Sequence, residues 1–362
     1  MDTEKLVADL ASQSIIALDC EGVRLGRYGK LSLMQIALGE DPNTLVLVDG
    51  IHGPTIKALE PILGSKTVVK VMHDCREDSA ALFSQFGIRL HSVADTQIAN
   101  LLLQRESRRV LRQEAYSDLL SRYLGRSESL STDMKQRMLD DPFLWHRRPL
   151  TKELVDYALH GVVDLIPLLQ RMEADLNAGG LSLKHVISAS QRWIEYSQLN
   201  LEIGNNPSQV EKIGTPLLGM VAAINDKGVY FKLNLARVGV CCTPSAMKRM
   251  LKGSGGFPPV QVGDTVELSV SGVSLDGKVL YVDRRDPDWE YFDYLRRPNP
   301  KKVGTASQEY RHVTSIINSG DVDPLIRRGL GPDGGIDSDD EDQVDHNPIL
   351  THKPCKPSKH SS

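Results

Sequence analysis

Asp19 and Glu21 close the apolar run Ile15–Leu18 with one residue between them, in the stretch Ile-Ile-Ala-Leu-Asp-Cys-Glu. Such a run reads as a buried strand, and its period of two puts both carboxylates on one face. Acids this close repel each other unless a positive charge lies between them. Hard oxygen donors of this kind suit magnesium or manganese better than zinc. The alternative, for an Asp-x-Glu taken alone, is a strand end whose acids are solvated. A second acidic element, His73-Asp74-Cys75-Arg76-Glu77-Asp78-Ser79, follows the apolar run Val68–Met72. Acids where a strand gives way to a helix lie at the carboxyl end of a sheet, where open α/β folds place their sites. Asp78 falls one turn into the helix and can look back toward the strand ends. Asp74 reads first as an ordinary helix N-cap.

The elements that must hold these acids follow from the apolar patterning. A short helix over 3–11 precedes strands at Ile15–Asp19, Leu31–Leu38 and Thr44–Asp49. Gly26, Gly29 and the turn Asp41-Pro42-Asn43 punctuate them, which predicts a three-strand meander. Helical spacing at Thr55–Leu63, a strand at Val68–Met72 and helices at Arg76–Phe86, Asp95–Gln104 and Tyr116–Leu124 come next. Strands first and alternating helices afterwards predict an α/β fold, a mixed sheet covered by helices. The stretch Arg105–Arg112 holds Arg105, Arg108, Arg109 and Arg112, either a solvated face or a phosphate-tracking edge. Pro149 and Thr151 open a long helix with Thr151 as N-cap and Glu153 in its first turn; Pro167 lies inside it. A helix at Leu183–Gln198 ends this first domain, 1–200.

Asn205-Asn206-Pro207 marks a linker over 201–213. Strands then recur at Leu217–Ile224, Gly228–Leu233, Val238–Thr243, Thr265–Val273 and Lys278–Asp283, which predicts a small barrel over 214–285. Residues 286–362 form a polar tail with Pro298, Pro300, Pro324 and Pro332 and an acidic run from Asp337 to Asp342. Disorder is expected from residue 305 onward. Ser338 is either a phosphorylation site or part of a plain solubilising tail, and protein partners would meet the chain here.

Composition sets outer bounds. A chain of 362 residues with 40% hydrophobic and 25% charged residues suits two domains and a tail. The net charge of -4 names no polyanionic partner, so any nucleic-acid contact must come from local basic patches. Cys20, Cys75, Cys241, Cys242 and Cys355 are odd in number and show no Cys-x-x-Cys spacing. That argues against a disulfide framework and a structural zinc site, and for a reducing compartment. With no basic-then-apolar leader and no run of eighteen apolar residues, the expectation is an intracellular protein, cytoplasmic or nuclear, with no membrane partner.

The motifs resemble a family. Leu18-Asp19-Cys20-Glu21, then Leu31-Ser32-Leu33-Met34-Gln35-Ile36-Ala37, then Val71-Met72-His73 with Asp78 five positions on, then Asp95-Thr96-Gln97-Ile98-Ala99, look like successive signatures of ribonuclease D. Arg148-Pro149-Leu150-Thr151 leading into Tyr157-Ala158-Leu159 does so too. This is the DEDD exonuclease family with a ribonuclease H-like fold, in its tyrosine branch, and the chain is similar in particular to Egalitarian-like 3′-5′ exonuclease domain-containing proteins. The resemblance covers residues 10–175. It implies two Mg2+ or Mn2+ ions held by four carboxylates, one activating a water and the other stabilising the leaving oxygen of a phosphodiester. On that pattern Asp19 bridges the metals, Glu21 and Asp78 bind beside it, and Tyr157 orients the attacking water.

The family's fourth acid should stand four residues after the tyrosine, where this sequence has Gly161. Asp164 is the candidate to compensate. Seven residues from Tyr157 is about 700 degrees of helix rotation, nearly the same face, though about 4.5 Å further along the axis than position 161. Direct ligation would need a helix shift, whereas a water-bridged contact would not. His160 with Asp164 falls one residue short of the histidine branch's spacing.

Gly219-Met220-Val221, Gly228-Val229-Tyr230-Phe231, Gly263-Asp264-Thr265-Val266 and Gly277-Lys278 look like the OB-fold repeat of ribosomal protein S-one, which implies binding to single-stranded RNA. Tyr230 and Phe231 alternate faces, so one enters the core while the other could stack on a base. Lys248, Arg249 and Lys252 could contact phosphates. A barrel that merely packs on the first domain is the alternative. Together these readings predict a 3′-5′ exonuclease acting on single-stranded nucleic acid, RNA above all, and releasing nucleotide monophosphates. The other reading is a catalytically degenerate exonuclease domain serving as an RNA-binding adaptor.

Overall fold

The computed structural model describes residues 3–39, 44–126, 131–253 and 258–285. Ser338, the acidic run, Cys355 and the expected disorder lie outside the described residues. Among those described, no helix is long and apolar enough to cross a membrane, and Cys20, Cys75, Cys241 and Cys242 form no disulfide.

After α1 (Thr3–Ala11), three antiparallel strands follow as a meander: β1 (Ile15–Val23), β2 (Lys30–Leu38) and β3 (Leu45–Asp49). Two short helices, α2 (Gly53–Ala58) and α3 (Glu60–Leu63), replace the single expected one, with Leu59 between them and Pro61 starting the second. Then come β4 (Val69–Met72), α4 (Arg76–Phe86), β5 (Val93–Asp95), α5 (Thr96–Glu106), α6 (Tyr116–Leu124) and α7 (Ser131–Asp140). The strand order is β3-β2-β1-β4-β5, with β4 parallel to both β1 and β5. Ile16, Ala17 and Leu18 are all 0% exposed, as expected of a central strand covered on both faces.

The long helix expected from Thr151 is two. Thr151 Oγ1 caps α8 (Lys152–Val163) by accepting from the Leu154 N–H, as expected. Asp164 then separates it from α9 (Leu165–Ala178). Pro167 explains the break: it has no N–H for the Val163 carbonyl, and its ring crowds that carbonyl. Next is α10 (Leu183–Glu195), continued by one 3-10 turn (Tyr196–Gln198). The expected linker contains α11 (Pro207–Val210), whose Val210 is fully buried, and it is tied down by Arg237, which donates to Asn205 and pairs with Glu211.

The second half is a closed barrel in the order β10-β8-β7-β6-β9. Its strands are β6 (Pro216–Asn225), β7 (Gly228–Leu235), β8 (Arg237–Cys241), β9 (Thr265–Val273) and β10 (Val279–Arg284), with α12 (Pro244–Lys252) between β8 and β9. β8 and β10 run parallel, and the other pairs are antiparallel. One continuous set of buried side chains runs from the first sheet into this barrel.

Arg76 sits where the two meet. Its guanidinium is wholly buried, pairs with Asp74 in two bonds of 2.5 and 2.7 Å, donates to Gln113 Oε1 and lies 4.1 Å over the Trp193 ring. Met220 of β6 touches the same group. Burial alone would raise the Asp74 carboxyl, but Arg76, and after it Lys232, hold it far below its usual 3.8. Removing one partner of a buried pair strands the other. We expect Arg76→Met to cost about 3–5 kcal/mol in urea unfolding at pH 7. Because the folded Asp74 is the more acidic form, this contribution is full above 3.8 and fades as pH falls below it. The gap between wild type and variant should therefore narrow in acid.

Candidate active site

β1 carries Asp19 and Glu21 half-buried on one face, with Cys20 buried between them. The strand continues past both acids to Val23, and its register against β2 shifts between Glu21 and Gly22. A Cβ at Gly22 would stand 2.1 Å from the Lys30 carbonyl oxygen, so only glycine allows this close crossing.

α4 brings Asp78 to the same place. Its start is held by Asp95, whose carboxylate accepts from the N–H groups of Asp74 and Cys75 and also caps α5 through Gln97. Asp74 is therefore not the N-cap expected of it. It adopts a positive φ of 58° and serves Arg76, while Cys75 occupies the cap position. Asp78 is 5% exposed. Burial, and then the charge of Asp19, push its carboxyl well above the usual range. Burial likewise pushes the Cys20 thiol up, and the charges of Asp78, Asp19 and Glu21 add to the shift. Asp78 Oδ1 is buried with no hydrogen-bond partner.

α8 supplies the third side. A Cβ built on Gly161 would lie 2.9 Å from Asp19 Oδ2, so this glycine faces the carboxylate directly. Tyr157 is one turn earlier on the same helical face. Its half-buried ring packs 5.9 Å from that of Trp145.

These donors fit a hard divalent cation. They are all carboxylate oxygens, two of the groups are close enough to disfavour each other's charge, and one buried oxygen lacks a partner. Among the described residues, however, no group of three or more His, Cys, Asp or Glu side chains is placed so that it could hold a metal ion together.

Other expected residues are placed elsewhere. Asp164 is the C-cap of α8, and its carboxylate forms an ion pair with Arg126. Tyr230 is 5% and Phe231 1% exposed. Neither can stack on a base: Phe231 fills the main core, and Tyr230 packs in a separate cluster with Val240 and Val279, against which Tyr281 lies. Lys248 and Lys252 are exposed on α12, and Arg249 reaches Asp283 at 3.7 Å. In the arginine cluster, Arg112 pairs with Glu114 while Arg108 and Arg109 are exposed.

Gln35 was not among the residues expected at the site. It stands opposite Asp19 in the ladder, wholly buried. The available sign was an amide in the otherwise apolar run Leu33–Leu38.

Residues 1–177 match the family model described as 3′-5′ exonuclease. The chain is 31% identical to a ribonuclease D of Nitrobacter hamburgensis over 175 residues, covering 48% of this chain and 42% of that one. It is also 31% identical over 169 residues to the piRNA biogenesis protein EXD1 of Mus musculus, covering 44% and 29%. The chain thus spans less than half the length of these relatives. A solved structure similar to it is the RNase D of Trypanosoma brucei, with a TM-score of 0.49 and 23% identity over 54% of this chain and 69% of that one. Residues 1–177 thus match the 3′-5′ exonuclease family model, and over that stretch the chain is similar to ribonuclease D.

Proposed function

We propose that this chain is a 3′-5′ exonuclease acting on single-stranded nucleic acid, RNA in preference, by two-metal phosphodiester hydrolysis. The observation that carries the reading is the convergence of three elements on the half-buried Asp19: Gly161 of α8 faces its carboxylate, and Asp78 of α4, buried with one carboxylate oxygen unpartnered, feels its charge. Asp19, Glu21 and Asp78 would hold Mg2+ or Mn2+. Such ions supply positive charge that activates water and stabilises a leaving oxygen. Tyr157, on the helical face that Gly161 turns to Asp19, would orient the water through its hydroxyl. The preference for RNA is supported by the relatives, a ribonuclease D and a piRNA biogenesis protein.

The barrel fits an OB-like module, and we assign it as one. Its third and fifth strands pair in parallel to close it, and a helix joins the third to the fourth. With Phe231 in the core and Tyr230 covered in a separate cluster, Lys248, Arg249 and Lys252 on α12 are the exposed groups that would contact the phosphates. The division into an exonuclease unit over 1–200 and a barrel over 214–285 is part of the same proposal.

With Mn2+ and 5′-labelled single-stranded RNA, the wild type should shorten the strand from its 3′ end. Asp19→Ala should lower the rate by at least about 100-fold, since a lost metal site is worth several kcal/mol. Binding without shortening in the wild type would instead make the domain an adaptor. Gly161→Asp probes the missing acid. Only a flexible carboxylate oxygen opposes the new side chain, so the variant should fold, with a fourth acid beside Asp19, Glu21 and Asp78. Its melting temperature should fall below wild type in EDTA and recover with Mn2+, with faster cleavage. A melting difference that Mn2+ leaves unchanged would count against cation binding at this place.

A further inference from the structure

Gln35 lies directly across from Asp19 in the antiparallel ladder of β1 and β2. Directly opposed residues share a face of the sheet. Leu33, two positions earlier on the same face, packs with Trp145, Leu154 and Ala158. Gln35 is therefore beneath α8, on the side from which Gly161 approaches the Asp19 carboxylate. The side chain is 0% exposed. Neither Oε1 nor Nε2 has a hydrogen-bond partner among the described residues. Across the other edge of β2 its ladder neighbour is Leu47, which offers no polar group.

An amide buried this way is costly to the fold, and an apolar residue of the same shape would suit the position better. The polar neighbour that the ladder supplies is Asp19. We propose that Gln35 is a positioning residue of the site, its Nε2 donating to the Asp19 carboxylate and fixing which oxygen faces the cation. The inference rests on the reading of Asp19 as a cation ligand. Turning the amide onto Asp19 uses the terminal torsion of glutamine, which is soft. Ligating carboxylates are generally held by such hydrogen bonds, and losing one weakens metal affinity about 10–100-fold. The need is greater here, because Gly161 brings no acid to share the cation. A neutral donor also suits the site, since another carboxylate would add to the repulsion between Asp19 and Asp78.

The test uses the full chain, with Mn2+ binding followed by electron paramagnetic resonance and thermal melting in EDTA. Wild type is compared with Gln35→Met, which keeps length while removing the amide, and with Asp19→Asn. Gln35→Met should melt at a higher temperature than wild type yet bind Mn2+ about 10–100-fold more weakly. A merely structural residue would not move the two in opposite directions. Unchanged Mn2+ affinity in Gln35→Met overturns the proposal. A fall in affinity together with a fall in melting temperature overturns it as well, as does failure of both Gln35→Met and Gln35→Leu to fold. A wild type that takes up Mn2+ no better than Asp19→Asn overturns the cation reading beneath it.

Discussion

The buried ion pair between Arg76 and Asp74 is the constraint on which the arrangement of the molecule depends. An arginine without solvent must have its donors met, and here a carboxylate, an amide and an aromatic face from three parts of the chain converge to meet them. The same guanidinium touches Met220 in the barrel. One residue on, Glu77 accepts from Lys232 of β7 at 2.7 Å and from the Tyr196 hydroxyl at 3.1 Å. That hydroxyl accepts in turn from the Asn234 N–H. The first turn of α4 is thus pinned by the sheet through Asp95, by α10 through Trp193 and by the barrel through Lys232. Asp78 follows directly after these residues, so its place is set by contacts from both halves of the chain.

The site is a balance of negative charge against burial. Asp78 is nearly inaccessible and feels the charge of Asp19, and the buried Cys20 thiol is held neutral by burial first and then by the charges of the acids. An acid at position 161 would add a further charge to this group. Glycine there lowers the repulsion that the fold must bear in the absence of a cation, and reduces the attraction a cation would feel. Stability and metal affinity pull in opposite directions at this position.

Much of this was legible in the sequence because it is encoded locally. The meander, the Asp19–Glu21 pair and the turn that brings Asp78 into α4 follow from apolar runs, turn residues and the strand-to-helix junction. Features set by distant contacts were not legible. Asp74 reads as a helix cap until Arg76 and Asp95 are seen to claim the neighbouring roles. Alternation along β7 puts Phe231 inward but does not reveal that Val279 and Tyr281 of β10 cover Tyr230 on the other side. The division of the long helix at Asp164 has a local cause, since Pro167 was present in the sequence and offers no N–H to the Val163 carbonyl. α12 was announced by Thr243-Pro244, a cap residue followed by a first-turn proline, though the surrounding strand pattern concealed it.

The barrel closes because β8 and β10 pair with each other, so each of its strands has a neighbour on both sides. A sheet sealed in this way presents no row of unpaired backbone amides and carbonyls, the feature by which an extended peptide is recruited as an added strand. Contacts to the barrel are therefore left to side chains, which can be substituted without disturbing the hydrogen-bonded frame beneath.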